Sequence, residues 1–379
     1  MNPSRRNFLK GAVSGAAGTA LAGGVLIEGA RVDAAQAATG SGPAEQASYP
    51  FHGARQAGVL TPGPSGKQAF TCVAAFDTVS LASTVTSSRT ELADLLRTLT
   101  DRSRFLATGG TPPDLGVGQP PSDNDVLGPT IPADGLTVNL SVGSSLFDSR
   151  YGLATAKPRK LVPMRTFPND SPEAPWLHGD LMLQFCANHP DTIHHAIRDI
   201  TRHTRGGMQL RWKMEGYNSP PRPSGTSRNL LGFKDGTANP TDGLASDLVW
   251  VDDPAEPAWA KNGSYVVVRL IRMLVEFWDR VSINEQEKMF GRRRDSGAPL
   301  DGNNEFDTPN YPSDPHGHVI PLDSHIRLAN PRTPATANQR LIRRSYNYDL
   351  GVDLNGNLQT GHIFICYQQD VERQFETNQ

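Results

Sequence analysis

Three short segments of this chain set chemically active side chains among small and turn-forming residues. Asn229-Leu230-Leu231-Gly232-Phe233-Lys234-Asp235-Gly236-Thr237-Ala238-Asn239-Pro240 offers a carboxylate, Ser324-His325-Ile326-Arg327-Leu328-Ala329-Asn330-Pro331-Arg332 an imidazole, and Leu341-Ile342-Arg343-Arg344-Ser345-Tyr346-Asn347-Tyr348 a pair of guanidiniums. A carboxylate can accept and return a proton, an imidazole can do the same or donate a lone pair to a metal, and a guanidinium can stabilise developing negative charge. Each segment alone also has a plainer reading. Asp-Gly is an ordinary turn, one histidine among ten is more often a satisfied surface or core residue than a ligand, and paired arginines in a strand-like run are commonly surface charges. His194 and His195 are adjacent on a helical pattern and so cannot both face one metal. His316 and His318 sit in a loop rich in Pro, Asp and Gly and match no functional pattern.

Taken in order, the three segments resemble the dye-decolorizing peroxidase family, from about Ala54 to Tyr367. Gly232 to Gly236 matches the family's Gly-x-x-Asp-Gly signature, and the other two resemble its proximal-histidine and distal-arginine segments. The spacing of 18 positions from His325 to Arg343 agrees with the family pattern. The resemblance implies a peroxidase with one haem b per chain, bound non-covalently, with His325 on the iron. It implies Asp235 as the base that takes the peroxide proton and Arg343 as the cation beside it. Gly236, Thr237, Ala238, Arg292, Asn330, Pro331, Arg332 and Arg343 match positions that line the haem or hold its propionates. Hydrogen peroxide and a small organic or dye reductant are the implied partners. Twin-arginine-exported relatives add iron-uptake partners, and with them the alternative of iron release from haem or ferrous iron oxidation. The resemblance is also compatible with a homodimer.

Several finer expectations follow. Arg344 reads as a surface charge on an edge strand. Tyr346 and Tyr348 stand near Arg343 as candidates for carrying oxidising equivalents to the surface, with plain packing the favoured reading of each. Burial above the haem and a neighbouring Arg343 act oppositely on Asp235, so no large net shift is expected and the base stays ionised at pH 5. Relatives of this branch continue past the equivalent of Gln379, whereas here a polar tail, Tyr367 to Gln379, reads as helical and leaves the pocket wall less complete.

The elements that must position these groups are legible as alternating patterns. Strands are predicted at Ala69 to Asp77, Leu136 to Val142, Leu181 to Ala187, Met208 to Met214, Tyr265 to Leu270 and His362 to Tyr367. Ser88-Arg89-Thr90-Glu91 reads as a capping box before Leu92, Leu95, Leu96 and Leu99. Pro190 opens a helix with the stripe Ile193, Ala196, Ile197 and Ile200, and Ser282-Ile283-Asn284-Glu285 opens another that ends by Gly291. Strands that alternate between apolar and polar faces and carry long connections favour an α+β fold with antiparallel sheets and peripheral helices. With the family resemblance, this becomes duplicated ferredoxin-like units in a dimeric α+β barrel-like arrangement. The predicted division is a signal peptide over 1–37, a linker over 38–49, an N-terminal half over 50–220 and a C-terminal haem-binding half over 221–379.

The remaining composition narrows the class. A chain of 379 residues with net charge −2 offers no field to gather nucleic acid. Cys72, Cys186 and Cys366 sit in apolar runs, and without Cys-x-x-Cys-His a covalent c-type haem is excluded. Arg5-Arg6 with Phe8-Leu9-Lys10, an uncharged Ala/Gly stretch, and Ala35-Gln36-Ala37 form an export signal of the twin-arginine kind, with cleavage after Ala37. That route carries folded proteins, which suits a cofactor inserted before export, and places the mature protein in a periplasm or outside the cell.

Overall fold

The computed structural model describes residues 47–379, so the signal peptide and most of the linker lie outside the described residues. The described residues form eight strands whose pairings are all antiparallel, in the order β2-β3-β1-β4-β7-β8-β5 with β6 on β8. The strands are β1 Phe70–Thr78, β2 Thr137–Val142, β3 Leu181–Ala187, β4 Met208–Tyr217, β5 Tyr265–Arg272, β6 Ile342–Arg343, β7 Tyr346–Val352 and β8 Leu358–Gln368. The expected α+β, antiparallel architecture is therefore present.

β1 to β4 form one group and β5 to β8 another. They join through a single register pair, Tyr217 with Asn347. The joint depends on Gly216, where a Cβ would stand 2.7 Å from Ile363 Cδ1 and 2.8 Å from the Asn347 carbonyl. Alternation sorts the side chains of each strand. In β1 and β3, Cys72, Ala74, Phe76, Leu181, Leu183 and Phe185 face one way and pack against two helices, α1 Val85–Thr108 and α2 Pro190–His203. Val73 and Cys186 face the other way and meet Tyr346, Ile363, Ile365 and Tyr367 from the second group. Burying one Leu or Phe side chain contributes about 1.5–3 kcal/mol, so these two layers hold the strand groups together.

The α2 stripe is as predicted: Ile193, Ala196, Ile197 and Ile200 are buried. The start of α1 differs. Its cap is Thr84, whose hydroxyl accepts the Ser87 N–H at 3.2 Å, while Ser88 lies a turn inside and is buried. Several short polar side chains compete for the cap, and extended backbone at Thr84 decides it. The second group carries only short helices: α3 Asp242–Val249, α4 Val275–Trp278, α5 Ile283–Phe290 and α6 His325–Ala329. The capping box at Ser282 and Glu285 is present, and α5 ends at Gly291 in the left-handed region, φ 78°. Its Cβ-free backbone also lets Ile326 and Ser324 approach. The tail forms a π-helical turn, Val371–Glu376, with Gln374 and Phe375 buried. No helix among the described residues is long and apolar enough to cross a membrane.

Candidate active site

Asp235 sits on a loop fastened at several points. Asn229 Oδ1 accepts the Leu231 and Phe233 N–H groups at 3.1 and 3.2 Å, and the Asp235 N–H donates to the Ser227 carbonyl at 2.9 Å. Lys234 Nζ donates to Glu305 at 2.6 Å and Thr237 Oγ1 donates to it at 3.1 Å. Asn239 then imitates a strand partner: its Nδ2 donates to the Arg343 carbonyl at 2.9 Å, and its Oδ1 accepts the Arg343 N–H at 3.0 Å. This reciprocal pair locks the loop to β6 and brings Arg343 Nη1 to 3.0 Å from Asp235 Oδ1. His362 of β8 approaches the second oxygen, with Nε2 at 3.1 Å from Oδ2.

Asp235 and Arg343 each keep 23% of the side chain exposed. Burial would raise the Asp235 pKa, but Arg343, the hydrogen bond from His362 and the Lys67 ammonium outweigh it and hold the carboxyl well below the usual carboxylate range. The expectation of no large net shift is therefore corrected, because two further positive or donating groups join Arg343. Lys67 itself is pulled down to about 8 by burial, against the pull of Asp235.

His325 opens α6 behind Ser324 and looks into a cavity of about 500 Å³. Phe290 flanks its ring at 5.7 Å and stacks at 4.0 Å on Phe233 of the Asp235 loop. Burial, then Arg343 and Arg292, lower the His325 pKa, with Asp235 opposing them. The shift favours the neutral imidazole, the form in which its nitrogen lone pair can ligate a metal.

The cavity brings together His325, Ala238, Arg292, Asn330, Arg332 and Arg343. Its apolar wall includes Ile271, Leu341, Phe364 and Phe375. Arg292 is buried and donates to the Gly297 and Glu305 carbonyls at 2.6 and 2.8 Å. Arg332 adopts φ 59°, and its charge helps lower the pKa of both Arg292 and Arg340 after burial, the larger cause. Gly236, Thr237 and Pro331 lie off the cavity wall: Thr237 serves the Glu305 network and Pro331 faces solvent.

One expectation about the neighbours of Arg343 is overturned, and the plain packing favoured for Tyr346 and Tyr348 is what the structure shows. Arg344 is not a surface charge: it is fully buried and donates to the Pro62 carbonyl and to Gln68 Oε1 at 3.3 Å. Alternation sends it away from the cavity into the junction with the first strand group. Tyr346 and Tyr348 do not reach the surface, being 1% and 4% exposed, and Tyr346 lies with its hydroxyl 3.6 Å from Cys186 Sγ. His195 is a satisfied core histidine on Asp123 at 2.8 Å, and all three cysteines are free and buried. His362, Lys67 and Asn239 were given no role by the sequence reading. The last lay inside the quoted motif, and the first inside a predicted strand.

An apolar slot of this size fits a small cofactor. An imidazole on one wall, Arg343 reaching in from β6 with Asp235 bound to it from the motif loop, and crowded arginines suit a metal-bearing planar dianion. Residues 56–218 match the N-terminal domain of Dyp-type peroxidases and residues 226–379 their C-terminal domain. The chain belongs to the Dyp-type peroxidase family, and it is a haem-dependent enzyme acting on hydrogen peroxide and a reductant. It is 48% identical over 386 residues to a deferrochelatase of Escherichia coli strain K12, covering 100% of this chain and 88% of the relative. A deferrochelatase of Yersinia pestis bv. Antiqua is 46% identical over 396 residues, with 100% and 87% covered. Among solved structures, a DyP-type peroxidase from Cellulomonas bogoriensis superposes with TM-score 0.78 at 33% identity, covering 89% of each chain. Ferric DtpA from Streptomyces lividans gives TM-score 0.76 at 34% identity, with 90% and 89% covered. Residues 2–22 match a twin-arginine translocation signal, so the protein is exported, to a periplasm or beyond the cell.

Proposed function

We propose that the protein is a haem b peroxidase oxidising small organic or dye reductants, with His325 as the axial ligand, Asp235 as the base and Arg343 as the cation of the peroxide step. The observation that carries this is the Asp235–Arg343 contact of 3.0 Å made by an arginine that lines the same cavity as His325. Haem, when bound by His325, would supply the redox chemistry between peroxide and reductant. The protein's part is acid–base and electrostatic. A carboxylate oxygen of Asp235 takes the proton of the bound peroxide and returns it to the departing oxygen, which leaves as water. Arg343 stabilises the negative charge that develops between these transfers. Arg292 and Arg332 suit the two propionates, for which guanidiniums make bidentate donors. The reading assigns the cofactor to residues 221–379 and the covering half to 50–220, joined to the export signal by 38–49.

The test is the visible spectrum of the purified protein before and after one equivalent of peroxide, followed by stopped flow. Asp235→Asn keeps the shape and removes the acceptor, so the peroxide step should slow by about 10²–10⁴-fold. An unslowed variant would remove Asp235 from the role.

A second reading is favoured by the deferrochelatase name of relatives at 46–48% identity. Here the same pocket releases iron from haem and works beside iron-uptake proteins, alone or as a homodimer. Porphyrin fluorescence growing on incubation with haem, with and without an organic reductant, separates this from peroxidation.

A further inference from the structure

β8 runs His362-Ile363-Phe364-Ile365-Cys366-Tyr367. Ile363, Ile365 and Tyr367 enter the core between the strand groups, and Phe364 lines the cavity. Alternation therefore puts His362 on the cavity side with Phe364. Its side chain is 10% exposed, and its Nε2 meets Asp235 Oδ2 at 3.1 Å while Arg343 holds Oδ1. Both carboxylate oxygens thus have a donor, from two different strands. The other ring nitrogen, Nδ1, is buried and has no hydrogen-bond partner among the described residues. That environment tolerates a lone pair more readily than a second N–H, so an imidazole that donates from Nε2 suits the site. Its cross-strand neighbours, Ile271 and Asn347, carry no charge. The charged or titratable groups that act on the pair are Arg343 on β6, Lys67 ahead of β1 and His325 at the cavity, while Arg269 on the cavity's sheet wall is committed to Asp170.

We propose that His362 is a positioning residue for the peroxide reaction: its Nε2–H holds Oδ2 of Asp235, fixes the carboxylate in one orientation and keeps it ionised between turnovers. This deepens, and rests on, the reading of Asp235 as the base. A proton arriving on Asp235 meets donors on both oxygens, so it is held weakly and is readily returned to the departing oxygen. His362 itself moves no proton in this scheme.

The experiment uses the holoenzyme and the variants His362→Leu, His362→Met and His362→Gln, with the Soret band and circular dichroism as checks on folding. Leucine and methionine both remove the donor, and either suffices if the other fails to fold. The amide of glutamine can restore a donor without titrating. Infrared pH-difference spectra report the protonated carboxyl of Asp235, identified as the band missing in Asp235→Asn. The donor-free variants should raise the midpoint of that band by about one pH unit or more, a tenfold gain in proton affinity, and His362→Gln should return it toward the wild type. The acid limb of the peroxide step should move with it. An unchanged midpoint in the donor-free variants overturns the proposal. A midpoint that moves while the acid limb stays still supports the hold of His362 on Asp235 and overturns the reading of Asp235 as the base.

Discussion

The two strand groups treat the same kind of sheet face in opposite ways. On β1, β2 and β3 the outer face is sealed by α1 and α2, 24 and 14 residues long, and their leucine and isoleucine stripes fill it as an apolar core. On β5 and β8 the corresponding space is bounded by α6, five residues long, by the π-helical turn and by loops, and what remains is the cavity with Arg269, Ile271 and Phe364 on its sheet wall. Long amphipathic helices close a face; short ones leave room for a cofactor. The buried polar groups differ accordingly. In the first group, Asp180 is saturated by Arg150, Ser145 and Thr78, whereas in the second Asp235 is held by His362 and by Arg343, which itself lines the cavity.

If this division is right, substitutions should separate stability from haem chemistry according to the side on which they fall. The largest effect belongs to His325→Ala, which should lose most of the Soret absorbance while far-UV circular dichroism stays as in the wild type. Full haem with an unchanged ligand field would remove His325 from the iron. Next, Leu99→Ala empties a 1%-exposed site in the sealed core and should cost about 2–5 kcal/mol in denaturant unfolding, with haem per folded molecule unchanged. Loss of haem without loss of stability there would break the comparison. The adjacent arginines give a sharper version. Arg343→Leu should slow the peroxide step while leaving unfolding little changed. Arg344→Leu, by freeing the Pro62 carbonyl and Gln68, should cost about 1–3 kcal/mol of stability and leave the peroxide step near wild type.

The smallest effect is expected from pH. Asp235 is held below the usual carboxylate range although burial opposes it, and Asp180 likewise, with burial opposed by Arg150, Ser145 and Thr78. A carboxylate depressed in the folded state contributes stability above its unfolded pKa of about 3.9 and loses it only as pH falls through the lower folded value. Between pH 7 and pH 5 neither carboxylate should therefore weaken folding or the peroxide step. Losses of folding stability should begin below about pH 4, and the peroxide step should fall only at still lower pH. A stopped-flow profile falling with an apparent pKa near ~6.5 would point to a histidine base instead.

Much of this was legible beforehand for a physical reason. Local chemistry writes itself into local sequence: the α2 stripe, the capping box at Ser282 and Glu285, the Gly291 stop and the period-two strands each depend on residues a few positions apart. The motif segments supply His325, Asn330, Arg332, Ala238 and Arg343 to one cavity, joined by Arg292 from outside them, while Asp235 is bound to Arg343 off the cavity wall. The misses share a cause. Arg343 and Arg344 are neighbours in sequence, yet pleating sends one to the cavity and the other into the interior. The packing favoured for Tyr346 and Tyr348 holds, but its partners were not legible: the first strand group covers Tyr346 with Val73, Cys186 and Met214.

Sequence alone determined the strand and helix patterns, the export signal, the free thiols and the three motif segments, because each is a property of residue types at short spacing. Tertiary structure decided which face each side chain serves and which distant groups meet. His362 reaches Asp235 across 127 positions only because β8 lies beside β6, and Lys67 bears on the same carboxylate only because the two strand groups close on each other. Those meetings set the charge and aim of Asp235, and no window of sequence contains them.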